Sequence, residues 1–522
     1  MNTDANALPL SWSLVRLDEL VADPKSDIVD GPFGSNLKAS EYIDEGTPII
    51  RLQNIAPAQF VEKNIRFVSA DKASSLARHS YVPGDLVVTK LGNPLGEACI
   101  VPSDFPPGII VADIVRIRLH PSVNTSAVMY AINSSRVQDE FKRLTKGTTR
   151  PRVNLQHVRA MHVPIPPREE QDRLVDEIEK QFSRLDAATA ALKKVQANLK
   201  RYRASVLKAA CEGRLVPTEA ELARKEGREY EPAATLLERI LRERRARWEA
   251  DTHAKMIASG KPPKEDGWKR KYKEPSGPDI AKLPPLPIGW RWVALDQLIM
   301  SGPQNGLYKP AGSYGAGVPI VRIDDFQNDW HRSLGDLKCL RLSDDEHHTY
   351  RLEQDDILIN RVNSPSHLAK SVAVPTEWSG AVFESNMMRF QVASFISIPW
   401  LLAYLYSYEG KSRLTSNAKW AVNQASINQD DVRNTPVPLA PYGEQVRIAE
   451  RISTLLAQTG RTVEQLSAQL SRASRLRQSV LKAAFCGMLL AQDPADEPAS
   501  VLLERIRAER ATPASKTSRN FR

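Results

Sequence analysis

The sequence predicts an α+β fold in which two α/β-mixed globular domains alternate with two long helices. Three observations predict it. The six residues SVLKAA occur at 205–210 and again at 479–484, and other segments recur in the same order. The front part of each copy contains short runs of β-branched residues flanked by Pro, Gly and Asp, which is typical of strands. The back part repeats apolar residues every seven positions, which is typical of a coiled coil.

The internal repeat extends over most of the chain. GTPIIR at 46–51 is similar to GVPIVR at 317–322, and GDLVVTK at 84–90 is similar to DDILINR at 355–361. EPAATLLERI at 231–240 likewise matches EPASVLLERI. A period of about 270 residues is far too long for a solenoid. The sequence therefore indicates two copies of one domain-plus-helix unit, related by a pseudo-two-fold.

The repeat sets the predicted domain boundaries. The first globular domain spans 1–165 and the first helical region 166–250. A Pro-, Lys- and Gly-rich linker follows at 251–287. The second globular domain spans 288–438, and the second helical region with the tail spans 439–522.

Each helical region is predicted to contain one long helix. The first runs from Glu169 to Ala210, after Pro164, Pro166 and Pro167 have ended the preceding strand. Gly213 and Gly487 fit the C-terminal stops of the two helices. Two such helices would be marginal alone, so we expect them to pack on each other as an antiparallel coiled coil. Its seam residues are Ile178, Leu185, Leu192, Leu199 and Val206 in the first helix and Ile452, Leu466 and Val480 in the second.

Composition restricts the function classes. The 522 residues include 72 Lys and Arg against 62 Asp and Glu, a net charge of +10. This excess suits a polyanionic partner such as nucleic acid, but a merely solubilising surface explains it equally well. The four cysteines are far apart, which argues against a zinc site or a disulfide frame. The start lacks a signal peptide and no apolar run is long enough to span a bilayer, so we expect a cytoplasmic protein without membrane contact.

The sequence lacks the common catalytic motifs. It contains no GxxxxGK[ST], GxGxxG, HExxH or GxSxG, and no stretch typical of amino-methyltransferases. Asp85, and Asp356 with Glu353, could form a nuclease metal site, but turns that enter strands explain their positions better. His347 and His348 beside 344–346 could bind a metal, although an exposed polar loop is the simpler interpretation. No catalytic residue and no metal site is predicted.

Three segments then resemble a known family. DGPFGSNLKASEYIDEGTPIIRLQNI at 30–55, VPGDLVVTKLGNPLGEACIVP at 82–102 and KGTTRPRVNLQHVRAMHVPIPPREEQ at 146–171 resemble the DNA-specificity (S) subunit of type I restriction–modification enzymes. The order of domain, helix, domain, helix is part of this resemblance. The second half departs more, because it lacks the GPFGS form and the glycine of KGTTR.

The resemblance implies a non-catalytic recognition subunit. It implies that each globular domain is a target-recognition domain for one half of a bipartite, asymmetric DNA target, with the helices as a ruler for the unread gap. It implies two modification (methyltransferase) subunits as partners, joined in some systems by two restriction subunits. The chain would bind no cofactor, with S-adenosylmethionine on the modification subunits and ATP and Mg on a restriction subunit. Two alternatives stay open: a self-contained methyltransferase or nuclease, and a coiled-coil adaptor that binds no DNA.

For a DNA-recognition subunit of this kind, the candidate DNA contacts are long polar side chains in Gly-rich or irregular loops. Arg suits guanine, Asn and Gln suit adenine, and most Lys and Arg are expected on phosphates. The candidates in the first half are Phe33, Ser35, Asn36, Lys38, Lys90, Lys146, Thr148, Arg150, Arg152 and Asn154. Those in the second half are Tyr308, Lys309, Arg361, Asn363, Lys419, Trp420, Asn423 and Gln424. We expect the duplicated helix ends and the LLERI segments to provide two equivalent docking sites for the modification subunits.

Overall fold

A computed structural model gives the fold as two compact units. It describes residues 8–33, 36–92, 95–145, 152–260, 263, 265–327, 330–422 and 424–511. Unit 1 combines Met1–Lys193 with Leu466–Arg522, and unit 2 is Lys194–Gln465. The prediction of a mixed helix and sheet protein with two domains and a long first helix is confirmed.

Two long helices contribute residues to both units. They span Arg168–Cys211 and Tyr442–Ala484. The first begins directly after the predicted prolines and ends where Gly213 adopts a left-handed φ of 64°. There the N–H of Arg214 donates to the carbonyl oxygen of Ala209 at 2.8 Å, which satisfies a carbonyl that the helix end would leave unpaired. Gly487, with φ 69°, ends the second helix in the same way.

Unit 1 is built around a four-stranded antiparallel sheet, here called the N-terminal sheet. Its strands, in spatial order, are Ile28–Asp30, Ile114–Ile117, Leu86–Thr89 and Ala98–Ile100. A second sheet has the order Arg66–Val68, Thr47–Ile50, Gly108–Ile110 and Ser80–Tyr81. Two pairs complete the strands: Ser13–Arg16 with His162–Ile165, and Ile55–Ala56 with Gln59–Phe60. The central strands are fully buried, as their continuous β-branched runs predict.

Helices close the core of unit 1. They are Pro24–Asp27, Ala70–Ser75, Thr125–Asn133, Ser135–Leu144, Leu155–Arg159 and Ala499–Ala511, with the first part of one long helix and the last part of the other. Leu481 and Ala484, from the second SVLKAA, lie buried in the same core as Trp12. The indole N–H of Trp12 donates to Glu170 at 2.9 Å, which anchors the start of the chain on the first long helix.

Unit 2 has a four-stranded antiparallel sheet with the same succession of strands, here called the C-terminal sheet. Its strands are Ile299–Asn305, Met387–Val392, Ile357–Asn360 and Ser371–Ala373. A second sheet consists of Lys338–Leu340, Tyr314–Val321 and Val382–Phe383. A third consists of Val362–Asn363, Gln424–Ser426 and Lys419–Ala421. Arg291–Ala294 pairs with Pro436–Leu439, and Phe326–Gln327 with Trp330–His331.

The helices of unit 2 include one that enters the predicted linker. They are Glu219–Glu226, Ala233–Ala258, Leu295–Leu298, Asp344–Tyr350, Ile398–Tyr406, Tyr408–Leu414 and Gln429–Arg433. The linker was placed at 251–287, whereas the structure continues a helix to Ala258. Val206 and Ala210, from the first SVLKAA, are buried in the core of this unit with Trp290. Across the described ranges, none of the helices is both apolar enough and long enough to cross a bilayer.

Candidate nucleic-acid interface

Three of the predicted DNA-contacting segments of unit 1 meet at one edge of the N-terminal sheet. Asp30 pairs with Val115 and Thr89 with Ile114, so two strands end where the strand between them begins. We call this end of the sheet, together with the loops that leave it, the N-terminal loop edge. The third segment joins it where the N–H of Val153 donates to the carbonyl oxygen of Lys90 at 3.0 Å.

A glycine makes the first of these loops possible. A Cβ at Gly31 would lie 2.0 Å from the carbonyl oxygen of Val111, so no larger residue fits without moving the backbone. The N–H of Gly31 donates to the carbonyl oxygen of Ile114 at 3.0 Å, which ties the loop to the sheet. Gly31 therefore fixes the point at which the loop leaves the sheet.

The side chains of the N-terminal loop edge fall into two groups. Phe33, with an exposed fraction of 74%, lies at the surface together with Asn36, Lys38 and Arg152. The ammonium of Lys90 is instead paired with Asp30 at 2.5 Å, and only 15% of its side chain is exposed.

Asn154 also has a local structural partner. Its side-chain oxygen accepts the N–H of His157 at 2.8 Å, so that it caps helix Leu155–Arg159. The remaining candidates of this half, Ser35, Lys146, Thr148 and Arg150, lie outside the described residues.

The C-terminal sheet ends in an edge of the same construction, here called the C-terminal loop edge. Asn305 pairs with Met388 and Asn360 with Met387. The N–H of Ile427 donates to the carbonyl oxygen of Arg361 at 2.9 Å, as Val153 does to Lys90 in unit 1.

A β-hairpin projects from the C-terminal loop edge, where the sequence predicted an irregular loop. Lys419 pairs with Ser426 and Ala421 with Gln424, and Val362–Asn363 adds a third strand. The loop prediction was wrong because Trp420 and Val422 favour extended backbone. Trp420 is 62% exposed and Val422 is 92% exposed, and Lys419 and Gln424 are exposed beside them.

Sequence reasoning missed Val422 as a candidate contact, although its place in the run KWAV could have indicated it. Asn423 lies outside the described residues.

The other candidates of unit 2 differ in exposure and partners. Tyr308 is 80% exposed. Lys309 pairs with Glu346 at 2.6 Å. The guanidinium of Arg361 donates to the carbonyl oxygen of Ser385 at 3.1 Å, and the side-chain oxygen of Asn363 accepts the N–H of Ser364.

Two buried carboxylates lie at equivalent points before the third strand of each sheet. Asp85 accepts two hydrogen bonds from Arg118, at 2.9 and 2.8 Å, and one from the N–H of Val82. Asp356 accepts the N–H of Glu353 at 2.9 Å and the side-chain amide of Gln391 at 2.7 Å.

Both carboxylates therefore close turns that enter strands, as the sequence indicated. Burial raises the pKa of Asp356 despite its hydrogen bonds.

Metal chemistry has no support in the part of the chain that the structure describes. No group of three or more His, Cys, Asp or Glu side chains is arranged there to hold an ion. His347 and His348, predicted in a polar loop, lie instead in helix Asp344–Tyr350, which Ser343 caps with a capping box. The Nε2 atom of His347 lies 2.8 Å from the carbonyl oxygen of Gly380.

The predicted seam of the long helices is buried unevenly. Ile178, Val206, Ile452 and Leu466 are buried, and Leu185, Leu192, Leu199 and Val480 are half-buried. Val195 and Tyr202, three residues after Leu192 and Leu199, are exposed. Between these positions the partly buried face of the helix therefore follows the predicted seam residues.

Comparisons with known proteins agree with the resemblance found in the sequence. Residues 289–472 match the family model described as Type I restriction modification DNA specificity domain. The chain is 25% identical to the type I restriction enzyme StySPI specificity subunit of Salmonella potsdam, over 98% of each chain. It is 21% identical to the type I restriction enzyme EcoKI specificity subunit of Escherichia coli K12, again over 98% of each chain.

One solved structure supports the fold. It comes from work entitled "Structural basis underlying complex assembly and conformational transition of the type I R-M system". Its chain matches with a TM-score of 0.61 at 18% identity and covers 92% of the present chain and 100% of its own.

Proposed function

We propose that this chain is a type I restriction–modification DNA specificity subunit and that it reads a bipartite, asymmetric DNA target with one loop edge in each unit. The observation that supports this most is that two sheets of one strand order end in equivalent edges with different side chains. An equivalent backbone arrangement with different side chains suits the recognition of two half-sites that differ in sequence. It also suits a pseudo-two-fold relation between the two repeats.

The contacts at each edge divide by chemistry. Arg152 and Lys38 in unit 1, and Lys419 in unit 2, meet phosphates, which fixes the register of the protein on the duplex. Phe33 and Trp420 present exposed rings to the bases. Gln424 has the donor and acceptor needed to read adenine in the major groove.

The two long helices pair as an antiparallel coiled coil in this proposal. In unit 1, Arg477 contacts Asp186 at 2.5 Å and lies 4.4 Å from the ring centroid of Phe182. In unit 2, Val206 and Ile452 share one core. An antiparallel pairing accounts for both sets of contacts, since later residues of the first helix meet earlier residues of the second.

Two modification subunits dock on the helices and perform the methylation, while this chain catalyses no reaction. S-adenosylmethionine belongs to those subunits, and ATP and Mg to restriction subunits where a system has them. The buried members of both SVLKAA segments serve the cores, so docking uses the exposed helix faces, including Val195, Tyr202 and Leu476.

An exchange of one domain tests the proposal. The chain is assembled with its modification subunits, and methylated adenines are mapped by single-molecule sequencing. When residues 288–438 are replaced by the corresponding domain of a relative, we expect one half-site to change completely and the other to stay. A change in both half-sites would contradict modular reading. Methylation or cleavage by the purified chain alone would favour a self-contained enzyme, and an assembled complex without DNA affinity would favour an adaptor.

A further inference from the structure

A basic and aromatic hollow lies in unit 2, in a part of the chain that the proposed reading of bases does not use. Helix Ala233–Ala258 carries Trp248, which packs against Trp268 and Tyr272 with ring centroids 5.9 and 5.3 Å away. Arg245 lies 5.8 Å from the centroid of the Tyr272 ring. These contacts hold part of the predicted linker against the helix.

The packing brings positive charge together. A hollow of about 470 Å³ is lined by five cationic side chains and two carboxylates, with Trp248, Tyr272 and Met300 as its apolar wall. The cationic residues are Arg244, Arg247, Lys271, Lys273 and Arg433, and the carboxylates are Asp251 and Asp296. Positive charge is therefore in excess around a partly apolar wall.

One of the two carboxylates is already paired with two arginines. Asp296 accepts hydrogen bonds from Arg244 at 3.3 Å and from Arg433 at 2.9 Å. Arg247, Lys271 and Lys273 are exposed, and none of the three forms an ion pair within the described ranges. Neighbouring like charges repel each other, so this arrangement costs stability unless an anion compensates it.

The Tyr272 hydroxyl is a second feature of the hollow. Its oxygen is buried, and the described residues provide it with no hydrogen-bond partner. A buried hydroxyl without a partner costs free energy, which a small rotation of the ring toward an acceptor in the hollow would recover. The hollow thus combines an excess of positive charge, an unsatisfied hydroxyl and an aromatic wall.

We propose that this hollow binds the phosphate backbone of duplex DNA outside the bases that the loop edges read. Lys and Arg neutralise phosphates without regard to sequence, and a Tyr hydroxyl is a common donor to phosphate oxygens. The three free cations lie on two different elements, a helix and the segment packed on it, which suits an extended polyanion better than a single small anion. The inference rests on the proposed function only in assuming that DNA is bound to the chain.

The contribution of the hollow to DNA binding can be measured separately from that of the loop edges by varying the length of the DNA flanks and the salt concentration. The complex assembled with its modification subunits is titrated with duplexes that contain its mapped target, with either long or trimmed flanks. The variant combines Arg247→Gln, Lys271→Gln and Lys273→Gln. The matched control combines Lys282→Gln, Lys338→Gln and Arg341→Gln, which removes the same charge from exposed positions of the same unit.

We expect a difference on long flanks only. Loss of three phosphate contacts should reduce the slope of log K against log salt by about 2.7. The control should keep the wild-type slope, and all three complexes should bind trimmed duplexes alike and methylate the same adenines.

Equal slopes for variant and control on long flanks would overturn the proposal. So would a variant that fails to assemble with the modification subunits while its thermal unfolding midpoint is unchanged, because the hollow would then serve an acidic protein surface. A wild-type complex that does not distinguish its target from other DNA would instead count against the proposed function.

Discussion

The two loop edges share a backbone frame but differ in electrostatics. In unit 1, Lys90 is neutralised by Asp30 at the end of the neighbouring strand. In unit 2, Arg361 stands at the place of Lys90 and the uncharged Asn305 stands at the place of Asp30, and Arg361 donates to a backbone carbonyl instead. The C-terminal loop edge therefore keeps a charge that the N-terminal loop edge cancels. The strands fix where these residues lie, while single substitutions decide which charge each place carries.

The largest expected difference between the edges lies in the exposed hairpin. Trp420→Ala combined with Val422→Ser removes its apolar surface without touching the core, since both side chains point to solvent. We expect target binding by the assembled complex to weaken by about 1–3 kcal/mol, the usual cost of a lost contact to a base. The loss of discrimination should be confined to the half-site of unit 2, measured by binding to duplexes substituted in either half.

Tyr408→Ala provides the matched control for the hairpin. Tyr408 is also a highly exposed aromatic residue of unit 2, but it lies at the start of a helix and outside the hairpin. Its replacement should leave affinity unchanged. If the hairpin variant and the control bind alike, the hairpin is not a DNA contact and the edges are more similar than the structure suggests.

A second comparison lies at the opposite ends of the same strands. Arg118 comes directly after the residue that pairs with Leu86. Gln391 comes directly after the residue that pairs with Ile357. The two side chains therefore occupy equivalent places, Arg118 beside Asp85 and Gln391 beside Asp356. Arg118→Gln gives unit 1 the side chain that unit 2 has at this place, where Arg389 also lies 3.7 Å from Asp356. We expect it to cost about 1–2 kcal/mol, because two hydrogen bonds from a charged guanidinium become one hydrogen bond from a neutral amide and Arg118 is half-exposed. The thermal unfolding midpoint of the chain should fall accordingly.

The reciprocal substitution, Gln391→Arg, has a predictable pH dependence. Burial raises the pKa of Asp356, so the folded chain holds this proton more tightly than the unfolded chain. The stability that this group contributes is complete below the ordinary Asp pKa of about 3.9 and is lost as the pH rises through the raised value. An added guanidinium favours the carboxylate, so the variant should lose less stability between pH 4 and neutrality. Parallel pH curves for the variant and the wild type would show that position 391 does not control Asp356.

The parts of the fold that were predictable from sequence depend on local patterns. The long helix at 168–211 follows from its prolines, its seven-residue repeat and its terminal glycine. The turns at Asp85 and Asp356 follow from an acidic residue placed before a buried β-branched run.

Features that depend on distant partners were not predictable. The hairpin at 419–426 lacks an Asn-Gly or Asp-Gly signal, and its third strand comes from Val362–Asn363. Trp268 and Tyr272 lie in a segment with a linker's composition, and their order depends on packing against Trp248. Lys90 was predicted as a DNA contact from its own sequence context, which does not show that Asp30 lies 2.5 Å away.

The smallest expected change in stability concerns Asn154. At this residue, a structural role and a role in base recognition can be tested separately. Its side-chain oxygen caps helix Leu155–Arg159, and Asn428 caps helix Gln429–Arg433 at the equivalent point of unit 2. A residue that is the same in both halves cannot explain why the half-sites differ, so we expect a structural role. Asn154→Ala should cost about 1 kcal/mol of stability, the usual cost of a lost cap. Asn154→Asp should preserve both the cap and the methylated sequence, because Asp caps as well as Asn but cannot donate to adenine. A changed half-site in the Asp variant, at unchanged thermal stability, would instead make Asn154 a reader of the N-terminal loop edge.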